Sequence, residues 1–289
     1  MIWDALAGPF VEFGFMRRAL LGAVAIALGA TPVGVFLMLR RMSLTGDAMA
    51  HAILPGAAIG YLFAGLSLGA MTLGGLVAGL AVAALAGLVA RVTTLREDAS
   101  LAAFYLISLA AGVLIVSMRG SNVDLMHVLF GTVLALDDAA LILLCSITTV
   151  SLLALALLFR PLVLECADPL FLRSVSGLSA LTHFVFLALV VLNLVGGFHA
   201  LGTLMAVGIM ILPAAAARFW ARGVGAMIGV AVVVALLAGF AGLLLSYHFG
   251  LPSGPAIILC AGAAYAASLI VGPEGGIIAR HWPRRHLEA

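Results

Sequence analysis

The sequence predicts an all-α polytopic membrane protein of about nine transmembrane helices, with eight as the alternative count. Three observations predict it. Of 289 residues, 65% are hydrophobic and 9% charged, with a mean hydropathy of +1.28. A water-facing domain of this length carries about 25% charged residues, so a soluble enzyme, a disordered chain and a disulfide scaffold are excluded. The apolar residues come in runs of about 18–25, apolar all round rather than alternating as in an outer-membrane barrel. The basic residues are distributed unequally between alternate loops.

Taken in order, residues 1–18 read as an amphipathic lead-in, in which Asp4, Glu12 and the lack of an early basic cluster argue against a cleaved signal peptide. The apolar runs lie at 19–39, 45–66, 68–90, 99–118, 137–159, 179–197, 200–217, 224–248 and 254–272, cut by Arg, Asp, Gly or Pro. The run at 200–217 is the weakest, being short and containing Pro213. Residues 122–134 are too few to cross and read as an interfacial or re-entrant helix. Residues 160–178 form the longest polar connector, and 273–289 a basic tail in which His281 and His286 join the arginines. The expected division is thus a lead-in, one membrane domain over 19–272, and the tail. Small-xxx-small pairs such as Gly75/Gly79 and Gly225/Gly229 suit close helix packing.

Loops holding Arg40, Arg41, Arg91, Arg96, Arg160, Arg173, Arg218, Arg222, Arg280, Arg284 and Arg285 face those holding Arg17, Arg18 and Arg119. The larger set marks the cytoplasmic side. Nine spans then put the N-terminus outside, with Arg17 and Arg18 on the side that basic residues avoid. All 14 basic residues are arginine. The Walker A loop needs a lysine on the nucleotide phosphates, so transport driven by ATP requires the ATPase on another chain. The cysteines Cys145, Cys166 and Cys260 lack C-x-x-C spacing and read as small buried hydrophobes. No HExxH, GxSxG or dinucleotide fingerprint is present, and no basic stripe suits nucleic acid.

The segment Arg40–Tyr61 carries the most chemistry. Ser43 or Thr45 is placed to cap the second span. Asp47 and His51 come next, four residues apart and therefore on one helix face. A first-turn carboxylate is favoured by the helix dipole alone. An imidazole stacked one turn on adds a second ligand for a divalent transition metal, zinc or manganese rather than Cu(I). Two ligands do not close a site, whereas a two-fold homodimer with this helix at its axis supplies four. Pro55 frees a backbone carbonyl and bends the helix beside the presumed path.

In the connector, Asp168–Pro169 reads as an N-cap and N1 pair, and Leu170, Phe171 and Leu172 expose apolar bulk, as a helix on the membrane or a docking helix for a cytoplasmic partner would. Pro213 among alanines suits a gate or an ordinary kink. His127, His199 and His248 fall near the outer ends of spans, where they would help receive a cation or simply sit at the interface. His183 lies near the inner face with no assigned role.

The blocks RRMSLTGDAMAHAILPG, VDLMHVLFG, DPLFLRSVSG, ILPAAAAR and GLPSGPAIILC, in this order from about Phe15 to Val271, resemble the zinc/manganese-type permeases of ABC importers. The resemblance implies a vitamin B12-permease-like architecture and a homodimer over two cytoplasmic ABC ATPase subunits. It further implies an extracytoplasmic metal-binding protein and residence in the bacterial cytoplasmic (inner) membrane. It assigns Asp47 and His51 as metal ligands of the path and Asp168 to Phe171 to the ATPase-coupling loop. The expected function is therefore import of zinc, with manganese next, by a subunit that is not itself an enzyme and holds no permanent cofactor. The rivals are an ATP-independent proton-coupled transporter and a permease for a metal chelate or cobalamin.

Overall fold

The computed structural model describes residues 6–65, 67–118, 134, 136–168, 171–172 and 178–281. Its helices are α1 (Gly8–Glu12), α2 (Gly14–Leu39), α3 (Ser43–Ala64), α4 (Leu68–Val92), α5 (Glu97–Met118), α6 (Asp138–Ala167), α7 (Leu178–Leu201), α8 (Thr203–Ala217), α9 (Val224–Phe249), α10 (Ser253–Val271) and α11 (Ile277–His281). Eight are long and apolar enough to cross a membrane. The expected helix at 122–134 lies, but for its last residue, outside the described residues.

The two central helices are α2, which packs on α6, α7, α8 and α9, and α7, which also reaches α3 and α4. Small residues allow this. A Cβ on Gly34 would enter the Met210 carbonyl, and a Cβ on Gly56 would enter that of Gly74, so α2 crosses α8, and α3 crosses α4, backbone to backbone. Gly75 and Gly79 pack against Ile53 and Val191 as expected, whereas Gly225 and Gly229 meet nothing within 4 Å and lie on an open face of α9. Cys145 is likewise exposed rather than buried.

The expected lead-in is not separate from the first span. Only Phe13 interrupts the helix between α1 and α2, and Phe10 stacks on Phe240 of α9 at 5.3 Å. Arg18, on the side that basic residues avoid, pairs with Asp138 at the start of α6 at 3.2 Å. The counter-charge explains its position and places both helix starts at one end of the bundle.

Three further expectations are corrected. α6 does not stop at Arg160 but continues through Pro161 to Ala167, so the connector opens with helix. The one acidic residue of this 160–167 extension, Glu165, is neutralised internally by Arg40, which removes the reason for the chain to leave the bundle. The run 200–217 forms a helix from Thr203 to Ala217, its first two residues belonging to the end of α7. Gly202, at φ +83°, reverses the chain between α7 and α8, and a Cβ on Gly197 would stand 2.6 Å from that of Ala206 across the hairpin. Gly197 also faces Ile26 midway along α2, so the reversal lies inside the bundle and the 15 residues of α8 suffice to return. Finally, neither Ser43 nor Thr45 caps α3; Met42 holds the cap position with no side-chain bond.

The corner ahead of α3 is instead closed by backbone. Met42 N–H donates to the Leu37 carbonyl at 2.9 Å and Arg41 N–H to that of Met38 at 3.0 Å. This is a Schellman closure, with Arg41 at φ +59° in the position glycine usually fills. Replacing Arg41→Gly relieves about 1 kcal/mol of left-handed strain, so the detergent-solubilised protein melts at a higher temperature; Arg41→Val lowers the midpoint. Gly34→Leu, which drives a side chain into the Met210 backbone, yields no monodisperse protein on size exclusion.

Candidate functional site

α3 is held on two sides. On one, Gly56 and Gly60 bring it onto the backbone of α4. On the other, α5 presents Tyr105, Ser108 and Gly112 at helical spacing. Tyr105 stacks on the His51 ring at 6.3 Å, Ser108 Oγ donates to the Ala52 carbonyl at 3.2 Å, and a Cβ on Gly112 would meet the Pro55 ring at 2.7 Å. The proline bend thus sits in a fitted seat, with its orientation fixed by α5.

The remaining stripe of α3 is uncovered. Leu44, at its start, is 85% exposed, and the Asp47 side chain is 65% exposed. Along this stripe Asp47 Oδ1 and His51 Nε2 stand 3.8 Å apart, too far for a direct hydrogen bond. His51 Nδ1 is turned into the protein. The pair is therefore brought together as the spacing implies, with oxygen and nitrogen donors facing outward. Among the described residues no third His, Cys, Asp or Glu joins them.

The chain matches the model of the ABC 3 transport family over residues 12–272. It belongs to the ABC 3 transport family. Among its relatives is the manganese import system permease protein ScaB of Streptococcus parasanguinis, 31% identical over 91% of this chain and 92% of that protein. Another is the manganese transport system membrane protein MntC of Halalkalibacterium halodurans, 29% identical over 94% and 92%. The solved structure of PsaBC from Streptococcus pneumoniae in complex with a Fab is similar at TM-score 0.84 and 28% identity, covering 98% of this chain and all of that one. The fold is the all-helical permease fold of the vitamin B12-importer type, in a multi-pass protein of the bacterial inner membrane.

The other expected site residues of this ABC 3 family chain are scattered. Asp168 ends α6 and caps the next turn, its Oδ1 accepting from Phe171 N–H at 2.9 Å and its carbonyl from Leu172 N–H at 3.3 Å. Phe171 is exposed as expected, whereas Leu172, expected to be exposed with it, is buried; Pro169 and Leu170 lie outside the described residues. His127 and the His199 side chain also lie outside them. His248, in the last turn of α9, is exposed and stands edge-on to Tyr247 at 5.3 Å. Neither Asp168 nor His248 touches the Asp47/His51 stripe in one chain. Tyr105 belongs to no motif; its only sequence signal is its place at helical spacing with Ser108 and Gly112.

Pro213 is buried inside α8. It has no N–H to give the Ile209 carbonyl, and Thr31 of α2 supplies the donor instead, its Oγ1 at 3.3 Å. Thr31→Val therefore leaves a buried carbonyl unserved and costs about 1 kcal/mol. Combined with Pro213→Ala, the same change costs almost nothing, because the restored N–H at position 213 serves that carbonyl. A double-mutant cycle of apparent melting temperatures checks this coupling.

Proposed function

We propose that the chain is the membrane permease subunit of an ATP-driven importer of a divalent transition metal, working as a homodimer with a separate cytoplasmic ATPase and an extracytoplasmic binding protein. The observation that carries the reading is the Asp47/His51 pair on an uncovered stripe of α3. A carboxylate facing hydrocarbon costs about 2.5–3.5 kcal/mol. The stripe is therefore best covered by a second copy enclosing a wet path, with the two chains giving two carboxylates and two imidazoles. Such a set suits manganese and zinc. The relatives named as manganese permeases favour manganese, where the imidazole alone puts zinc first. Pairing through this stripe also explains why, among the described residues, one chain brings only two ligands together here.

Tyr105 is the positioning residue of the pair. By stacking on His51 it fixes the ring so that Nε2 stays beside Asp47. Exposed Phe171 and the capped turn at Asp168 form the surface that meets the ATPase, at the inner end marked by the arginines.

The test is Mn²⁺ and Zn²⁺ uptake, with ATP hydrolysis, by the permease co-reconstituted with its ATPase and binding protein. Asp47→Ala and His51→Ala abolish uptake while the complex still assembles; full uptake by both would remove these residues from the path. Tyr105→Leu weakens metal binding about tenfold, as loss of a ligand's orienting neighbour does, and Tyr105→Phe does not. ATP-independent uptake by the permease alone under a proton gradient would favour the secondary-transporter reading instead.

A further inference from the structure

A buried ionic cluster lies at the inner end of the bundle, away from the Asp47/His51 stripe. Arg40, which ends α2, sends Nη2 to Glu165 Oε1 at 3.1 Å and to His183 Nδ1, and its guanidinium lies 4.9 Å from the centre of the Phe186 ring. The side chains of Arg40 and Glu165 are 10% and 5% exposed. An arginine has only protons to give, so His183 Nδ1 accepts and its ring proton sits on Nε2.

The position of the cluster gives it meaning. Glu165 is three residues before Asp168, and His183 and Phe186 stand on the helix after the 168–177 connector. Arg40 is the last residue before the Schellman corner, and that corner launches the helix carrying Asp47 and His51. One guanidinium thus ties both walls of the connector to the base of α3. The tie is also incompletely satisfied. Among the described residues, Arg40 Nη1 and Glu165 Oε2 are buried without a hydrogen-bond partner. A buried pair with spare donors and acceptors is a poor device for stability alone, since apolar residues of the same volume serve as well or better. It is well suited to an element with two arrangements, in which the unused groups find partners after a small shift.

We propose that Arg40, Glu165 and His183, seated on Phe186, form the joint that transmits a shift of the inner ends of α6 and α7 to the α3 helix. They are positioning residues, acting on the path through the Arg40–Met42 corner and touching neither metal nor nucleotide. The inference rests on the assignment of the connector to the ATPase and of α3 to the path.

The test uses the assembled permease–ATPase complex in proteoliposomes with its binding protein and radiolabelled Mn²⁺. Arg40→Met/Glu165→Met keeps the volume and removes both charges; Glu165→Gln keeps the shape. Both are expected to assemble, to bind Mn²⁺ as the wild type does, and to hydrolyse ATP, with Mn²⁺ moved per ATP falling about tenfold. Arg40→Lys does not rescue, because an ammonium cannot serve Glu165 and His183 from one planar edge and stack on Phe186 at once. An unchanged Mn²⁺-to-ATP ratio in the double-methionine variant overturns the proposal. So does failure of both the double variant and Glu165→Gln to assemble, which would make the cluster a stability element. If the site assignment were wrong, Asp47→Ala would transport normally. The transport ratio of the joint variants is read independently of which residues hold the metal.

Discussion

The absence of water inside a bilayer is the constraint on which the other features of this chain depend. A backbone carbonyl or amide left open in hydrocarbon has no solvent to turn to, so each departure from straight helix needs a partner supplied by the protein. Thr31 serves the carbonyl that Pro213 leaves open, and Ser108 reaches the Ala52 carbonyl beside the Pro55 bend. Thr148 donates to the Ala25 carbonyl at 2.8 Å, and Asn193 divides its amide between Ser151 and the Leu189 carbonyl. Most of these few polar side chains reach across to a neighbouring helix. Satisfying one helix therefore fixes the place of another.

The same constraint explains the glycines. Apolar burial does not favour one helix neighbour over lipid, so association depends on close contact and on interhelical hydrogen bonds. α2 and α8, and α3 and α4, approach until backbone touches backbone at Gly34 and Gly56. That closeness seats α3 firmly on α4 and holds its outer stripe in place, as the proposed shared site requires.

What could be read from the sequence was local. The runs, the arginine bias, the Asp47/His51 face and the Asp168 cap depend on residues within a turn or two of each other, where helical spacing fixes geometry. The structure places Asp47 beside His51 and Phe171 N–H on Asp168 as that spacing implies. The features that escape such reading are of two kinds. Some are backbone states without a residue signature: Arg41 in a left-handed corner gives no glycine to announce it, and Gly202 is one of 33 glycines. The others join distant positions. Arg18 meets Asp138 across 120 residues and Arg40 meets His183 across 143, and no period in the sequence relates them. One signal is available: Glu165 is a lone carboxylate in an apolar stretch, RPLVLECA, and such a group needs an internal partner.

The choice of arginine throughout the chain acquires a physical reason at Arg40. Its guanidinium meets three neighbours of different chemistry: a carboxylate, an imidazole nitrogen and an aromatic face. A planar, delocalised cation offers donors along its edge and a weakly hydrated face for stacking, so one group serves all three. A lysine in its place would concentrate the same charge on one strongly hydrated atom with a larger desolvation cost. It could approach Glu165 or the Phe186 ring but not hold both with His183. Of the helices meeting at this point, α6 and α7 are consecutive, whereas α2 precedes them by about a hundred residues. At the inner end the three helices thus share one guanidinium. A shift in any one of the three helices must change the bonding of that guanidinium.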